Sequence, residues 1–179
     1  MGHAVSIPRR VGRMLSVALL PALMLLTLPG IAQGPASMVH KPAPQFVRTD
    51  LHHHSVDLSA YRGHVVLLNF WATWCAPCQI EIPQFVRWQS AYGAQGLQIL
   101  GVSMEDDSAP ALALTRRSRV NYPILMGDAK LGRLYGGVLG LPVTFLIDRQ
   151  GKIAAVYKGQ TDLSVMEREI RRLLSADGQ

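Results

Sequence analysis

The sequence predicts an α/β sandwich, one mixed β-sheet flanked by helices. Three observations predict it. Continuous apolar runs of strand length, VVLLNFW at 65–71 and LQILGV at 97–102, are separated by a stretch with helical spacing of its apolar residues. Such runs mark strands buried on both faces. Near the C-terminus, two more apolar stretches flank Asp148-Arg-Gln-Gly151, a hairpin signal that adds antiparallel pairing. The chain has 179 residues, 49% apolar and 17% charged, enough for one domain with a tail. That balance excludes an intrinsically disordered chain, and 16 glycines without a repeat exclude a collagen.

The elements follow in order. Residues 37–45 are proline-rich and are expected as a linker, and the domain is expected over 46–174 with a short tail at 175–179. His52, His53 and His54 read as a solvated turn, because three adjacent side chains cannot all point one way on a strand. The first buried strand is Val65–Trp71. Residues 76–92 form a helix whose apolar side carries Ile82, Phe85, Val86 and Trp88, and Pro83 is expected to kink it. The second strand is 97–102. Ser108 is the candidate N-cap of a helix reaching Arg119. Residues 123–126 are short and extended, and Asp128 caps a helix through Tyr135. Strands at 143–147 and 153–157 make the hairpin. The last helix spans about 162–174, with Leu163, Met166, Ile170, Leu173 and Leu174 on one face. The capping-box spacing of Ser164 and Glu167 offers a later start.

The formal charge of +6 is misleading. Arg9, Arg10 and Arg13 precede the domain, in a stretch of 36 residues without Asp or Glu. Without these three, 15 basic side chains face 12 acidic ones. That small excess gives no reason to expect nucleic acid as a partner. The arginines stand before an apolar run from Met14 to about Ile31, broken by Pro21 and ended by Pro29-Gly30. A positive segment before such a run is an export signal over 1–36, cleaved near Ala32 or Ala36, or an uncleaved membrane anchor through 14–31. Either way the positive-inside rule puts the domain outside the cytoplasmic membrane, at the periplasmic or extracytoplasmic face. No cysteine precedes Cys75, which excludes an acyl anchor on an N-terminal cysteine.

Cys75 and Cys78 are the only cysteines, and chance would set two cysteines three apart roughly once in ninety chains of this length. They fall where a buried strand gives way to a helix. A sulfur in the first helical turn faces unpaired backbone N–H groups and the positive end of the helix dipole, and both favour the thiolate. The thiolate is the attacking species in disulfide exchange, and a second thiol one turn along is placed to resolve the mixed disulfide. Ala76 and Pro77 lie between, and proline suits an early helix position. Two other readings of the pair are a structural disulfide, though so small a loop restrains the unfolded chain little, and a zinc site, though a closed site needs four ligands.

Trp71-Ala-Thr-Trp-Cys-Ala-Pro-Cys78 after VVLLNF resembles the thioredoxin superfamily, and more narrowly the TlpA/ResA-like group of exported, often membrane-tethered thiol–disulfide oxidoreductases. The resemblance covers about residues 42–174. It includes Ala43-Pro-Gln-Phe46, Tyr61-Arg-Gly-His-Val-Val66 and Gly140-Leu-Pro-Val-Thr-Phe-Leu-Ile-Asp148. It implies a thioredoxin-like three-layer sandwich with an N-terminal β extension. It also implies that Cys75 is the nucleophile, Cys78 the resolving thiol, and the two a redox-active disulfide. Pro142 matches the family's cis-proline, which leaves the backbone of Leu141 free to pair with an extended substrate. Trp74, Ala76 and Pro77 complete the expected substrate surface, and Trp71 packs near the motif. Pro83 matches the helix-kink proline. Asn69 departs from the cytoplasmic pattern, which has an aspartate at that strand position. Glu81 matches a glutamate of the group, and a partly buried carboxyl there would exchange a proton with Cys78; an exposed first-turn glutamate is the alternative.

The resemblance favours a reductase of disulfides in exported proteins, apocytochrome c for example, fed by a membrane thiol electron relay and needing no metal or organic cofactor. Val143 stands where cytochrome-maturation specialists often carry an acid. The other readings are a thioredoxin-fold peroxidase, since APQF also resembles the start of peroxiredoxins, and a non-catalytic module that binds Cu(I) or a client through the two thiols.

Overall fold

The computed structural model describes residues 1–4 and 34–176. The chain divides into two units, Met1–Ile31 and Ala32–Gln179. In the first, only residues 1–4 are described, and they carry no regular structure. The export segment expected over 1–36 lies almost wholly outside the described residues.

In the second unit a five-stranded sheet runs in the order β5-β4-β3-β6-β7. Its strands are β3 (Val65–Trp71), β4 (Leu97–Ser103), β5 (Ile124–Met126), β6 (Val143–Ile147) and β7 (Ile153–Lys158). β3 pairs in parallel with β4, and β4 with β5. β6 pairs antiparallel with both β3 and β7. The mixed sheet expected from sequence is present, and β3 is buried at every position.

Burial on both faces follows from the alternation of side chains along each strand. Val65, Leu67 and Trp71 join Ile99 and Leu146 in one apolar layer, which receives α1 (Ala76–Tyr92) through Ile82, Phe85 and Trp88 and α4 (Leu163–Ser175) through Met166, Ile170 and Leu173. Ala111 and Leu114 of α2 (Ser108–Arg117) enter the same layer. Val66, Leu68 and Phe70 face the other way, with Leu100, Phe145, and Leu131 of α3 (Ala129–Leu134). Tyr135 is the centre of this second layer. Phe46, Phe70 and Phe145 surround its ring, and its hydroxyl donates to the Pro44 carbonyl at 2.8 Å.

An antiparallel pair, β1 (Val47–Thr49) and β2 (Ser55–Asp57), precedes the sheet and supplies the N-terminal β extension. Asp50 holds the turn between them. One of its carboxylate oxygens accepts from the backbone N–H groups of His52 and His54, both at 2.8 Å, and the three histidines stay exposed as expected.

Several details differ from the sequence reading. Residues 37–45, expected as a linker, lie against the sheet: the His40 N–H donates to Ile153, the Ala43 N–H to Gly151, and Pro42 bridges to Lys152. A short 3-10 turn, Pro35–Met38, begins this strap, and Pro35 is buried. The cap of α2 is Asp107, which accepts from the Ala109 N–H at 3.0 Å, and the helix ends at Arg117, before Arg119. Asp162 caps α4 by accepting from the Ser164 N–H at 2.8 Å, so the later start at Ser164 is not used. In the first place a carboxylate one residue upstream, and in the second a carboxylate two residues upstream, supplies the acceptor for a free N–H of the first turn. α1, by contrast, spans the expected 76–92 and continues across Pro83.

Candidate active site

Four residues carry the chain from the end of β3 to the start of α1. Cys75 is the N-cap of α1, with φ −87° and ψ 101°. Its Sγ accepts from the Cys78 N–H at 3.3 Å. Proline in the first turn needs no partner for a missing N–H, so Pro77 fits without cost. Cys75 and Cys78 are joined as a disulfide, with Cα atoms 5.3 Å apart. The site is thus in its oxidised form. Both sulfur residues are sunk into the apolar layer under α1: Cys75 is 5% exposed and Cys78 1%. Trp74, at 71%, stands out of the surface beside them, with Ala76 exposed and Pro77 half-buried. Trp71, by contrast, is a core residue in the same layer as the cysteines.

The Leu141–Pro142 peptide bond is cis. Pro142 is buried at the start of β6, and its carbonyl accepts from the Gly159 N–H at 2.8 Å. Leu141 packs against the layer that contains the disulfide. Its own backbone makes no backbone hydrogen bond to any described residue. Beside it opens a groove of about 540 Å³, lined by Pro35, Leu139, Val143 and Lys158.

Glu81 lies one turn beyond Cys78 and is 3% exposed, so the reading of an exposed first-turn acid is excluded. Its Oε2 has no hydrogen-bond partner among the described residues. Burial disfavours the charged form and pushes its carboxyl up to about 7. Tyr122 is its buried neighbour, and burial first and the Glu81 charge second hold that phenol above its ordinary range. Asn69 is buried and donates to Thr144 Oγ1 at 2.9 Å across the β3–β6 pair. Both groups are neutral, so this layer carries its buried acid on α1 and none on β3.

Sequence reasoning missed the groups that hold the loop before Cys75. Glu105, just past β4, accepts from both the hydroxyl and the backbone N–H of Thr73, the latter at 3.3 Å. Ser103 Oγ donates to the same carboxylate at 3.2 Å. The Thr73 carbonyl accepts from Gln79 Nε2 at 2.6 Å. One signal pointed there: parallel β3 and β4 end side by side, and the carboxyl ends of such strands are where sites form.

The arrangement is a dithiol–disulfide couple at a helix start, with a protonatable carboxyl beneath it and an open backbone segment beside it. Comparison with known proteins agrees with that chemistry. Residues 39–156 match the AhpC/TSA family. The chain is 35% identical over 138 residues to the thiol-disulfide oxidoreductase ResA of Geobacillus kaustophilus (strain HTA426), covering 77% of this chain and 79% of that one. It is 34% identical over 118 residues to ResA of Bacillus subtilis (strain 168), covering 65% of each. A thiol:disulfide interchange protein of the thioredoxin family from Chlorobium tepidum TLS superposes with a TM-score of 0.69 at 27% identity, over 74% of this chain and 95% of that one. With a matching family, ResA relatives over most of their length and the Cys75–Cys78 pair at a strand–helix junction, the chain belongs to the AhpC/TSA family of the thioredoxin superfamily and is a thiol–disulfide oxidoreductase.

Proposed function

We propose that Cys75 is the nucleophile and Cys78 the resolving thiol of an exported enzyme that reduces disulfides in extracytoplasmic proteins, apocytochrome c among them. One observation carries the assignment: Cys75 Sγ caps α1 and already accepts a backbone N–H, an environment that stabilises a thiolate when the disulfide is open. The reduced Cys75 thiolate attacks a client disulfide. The client S–S bond breaks, its leaving thiolate takes a proton from water, and a mixed disulfide remains. Cys78 then gives its proton to the Glu81 carboxylate and attacks Cys75 Sγ. The Cys75–client bond breaks, the second client thiolate leaves, and Cys75–Cys78 closes. Two electrons pass to the client, and a membrane thiol relay restores the dithiol.

Leu141 offers its unpaired backbone to an extended client segment beside Pro142, and Trp74, Ala76 and Pro77 around Cys75 supply the remaining client contacts. Export and tethering rest on the arginines before the apolar run 14–31.

The test is turnover of insulin disulfides with dithiothreitol as reductant. The wild type accelerates precipitation and Cys75→Ser does not. Equal rates would overturn the nucleophile assignment, and copper retention without exchange would leave a binding module instead. In cells, Cys78→Ser is expected to accumulate a mixed disulfide with its client, whose identity by mass spectrometry tests the apocytochrome reading.

A further inference from the structure

When the disulfide opens, the covalent clamp between Cys75 and Cys78 is lost. Cys75 then stays over the first turn of α1 only if the loop before it stays in place. Ala72 and Cys75 are buried at its two ends, but its middle gains little from apolar burial, since Thr73 is half-buried and Trp74 points to solvent. Hydrogen bonds do the holding, and they converge on one residue. All three polar groups of Thr73 are engaged: its N–H and hydroxyl by one oxygen of Glu105, and its carbonyl by Gln79. The other Glu105 oxygen accepts from Ser103, which is fully buried at the end of β4. Ser103 is in turn fixed by the sheet, because its carbonyl accepts from the Gly127 N–H at 2.7 Å. The next residue, Met104, donates its N–H to the Trp71 carbonyl at 2.9 Å and pins the start of the same loop. A carboxylate that accepts three donors is a stiff, charge-assisted anchor.

We propose that Glu105 is a positioning residue for the dithiol: through Thr73 it holds the Ala72–Cys75 loop so that Cys75 stays at the mouth of α1 in the reduced enzyme. Glu105 touches neither sulfur nor client. It acts by keeping the sulfur near the N–H groups that favour its ionisation, and those contacts weaken steeply with distance and angle. The proposal rests on the assignment of Cys75 as nucleophile.

The test uses reduced protein and the rate of Cys75 alkylation by iodoacetamide as a function of pH, with mass spectrometry locating the label. Glu105→Ala is expected to shift the midpoint of the profile upward and slow alkylation at pH 7 roughly tenfold. Thr73→Val, which keeps shape but removes the hydroxyl, is expected to slow it by a few-fold, and Thr73→Ser, which keeps the hydroxyl, to restore it. A purely structural role would lower Tm and leave the midpoint in place. Should Glu105→Ala fail to fold, the Thr73→Val and Thr73→Ser pair decides alone. A wild type with reactive Cys75, matched by every variant in rate and midpoint, overturns the anchor and leaves the nucleophile assignment standing. A wild type in which Cys75 is no more reactive than Cys78 overturns both.

Discussion

Glu81 is a buried acid on α1, and its surroundings set the pH at which it ionises. Its carboxyl is raised from 4.5 to about 7 by burial. In the unfolded chain it ionises near 4.5, while the folded protein keeps the proton until about 7. Between those values the folded state binds more protons, so stability declines as pH rises, and the decline ends above pH 7. Its full size is on the order of 3 kcal/mol. In Glu81→Gln the decline is expected to flatten over that window, measured by denaturant unfolding of the oxidised protein. The same substitution is expected to remove a rise in the rate of mixed-disulfide resolution centred near pH 7, and an unchanged pH profile would remove the proton-transfer role. At this scale the sequence was legible where chemistry lives in residue type and spacing. Cys75, Cys78, Pro142 and Glu81 could all be named from it. Thr73 and Glu105 could not, since their partnership spans 32 positions and arises only when β3 and β4 lie side by side.

Among the elements, strands and helices were legible because burial writes itself as apolar runs and periods. Their ends were less so. Asp107-Ser108 and Asp162-Leu-Ser164 each offer two acceptors for the same free N–H groups, and composition alone does not rank them. The structure uses the aspartate in both. Asp162→Ala is therefore expected to lower stability clearly, and Ser164→Ala far less. The comparison is a pair of urea melts. If Ser164→Ala proved the costlier, α4 would start later in solution. α1 differs from these helices, because its cap is a sulfur and so its start is also its reactive end. Replacing Cys75 by serine keeps an acceptor at the cap, which makes Cys75→Ser a fair control for chemistry without loss of the helix.

The whole molecule places two apolar layers on a single mixed sheet, and the resemblance to a known family made that architecture legible before any coordinate. The strap over residues 34–43 was not. Its prolines read as a spacer because Pro cannot enter a central strand, yet an edge tolerates them, and these residues run along the edge of β7. A chain begun at Gly34 is expected to keep the Tm of one begun further upstream. A chain begun at Pro44 loses the edge pairing with β7, and its Tm is expected to fall by roughly 5 °C. Tyr135 ties the far end of the strap to the second layer through Pro44, so Tyr135→Phe is expected to cost about 1 kcal/mol at constant packing. Calorimetry on the four proteins checks both statements.

Gly34 and Pro35 line the same groove as Leu141. The strap thus begins on the wall of that groove, beside the open backbone of Leu141. On the proposed function, a client strand seated at Leu141 would also rest on Gly34 and Pro35, which makes the strap a wall of that seat as well as a brace for the edge of the sheet.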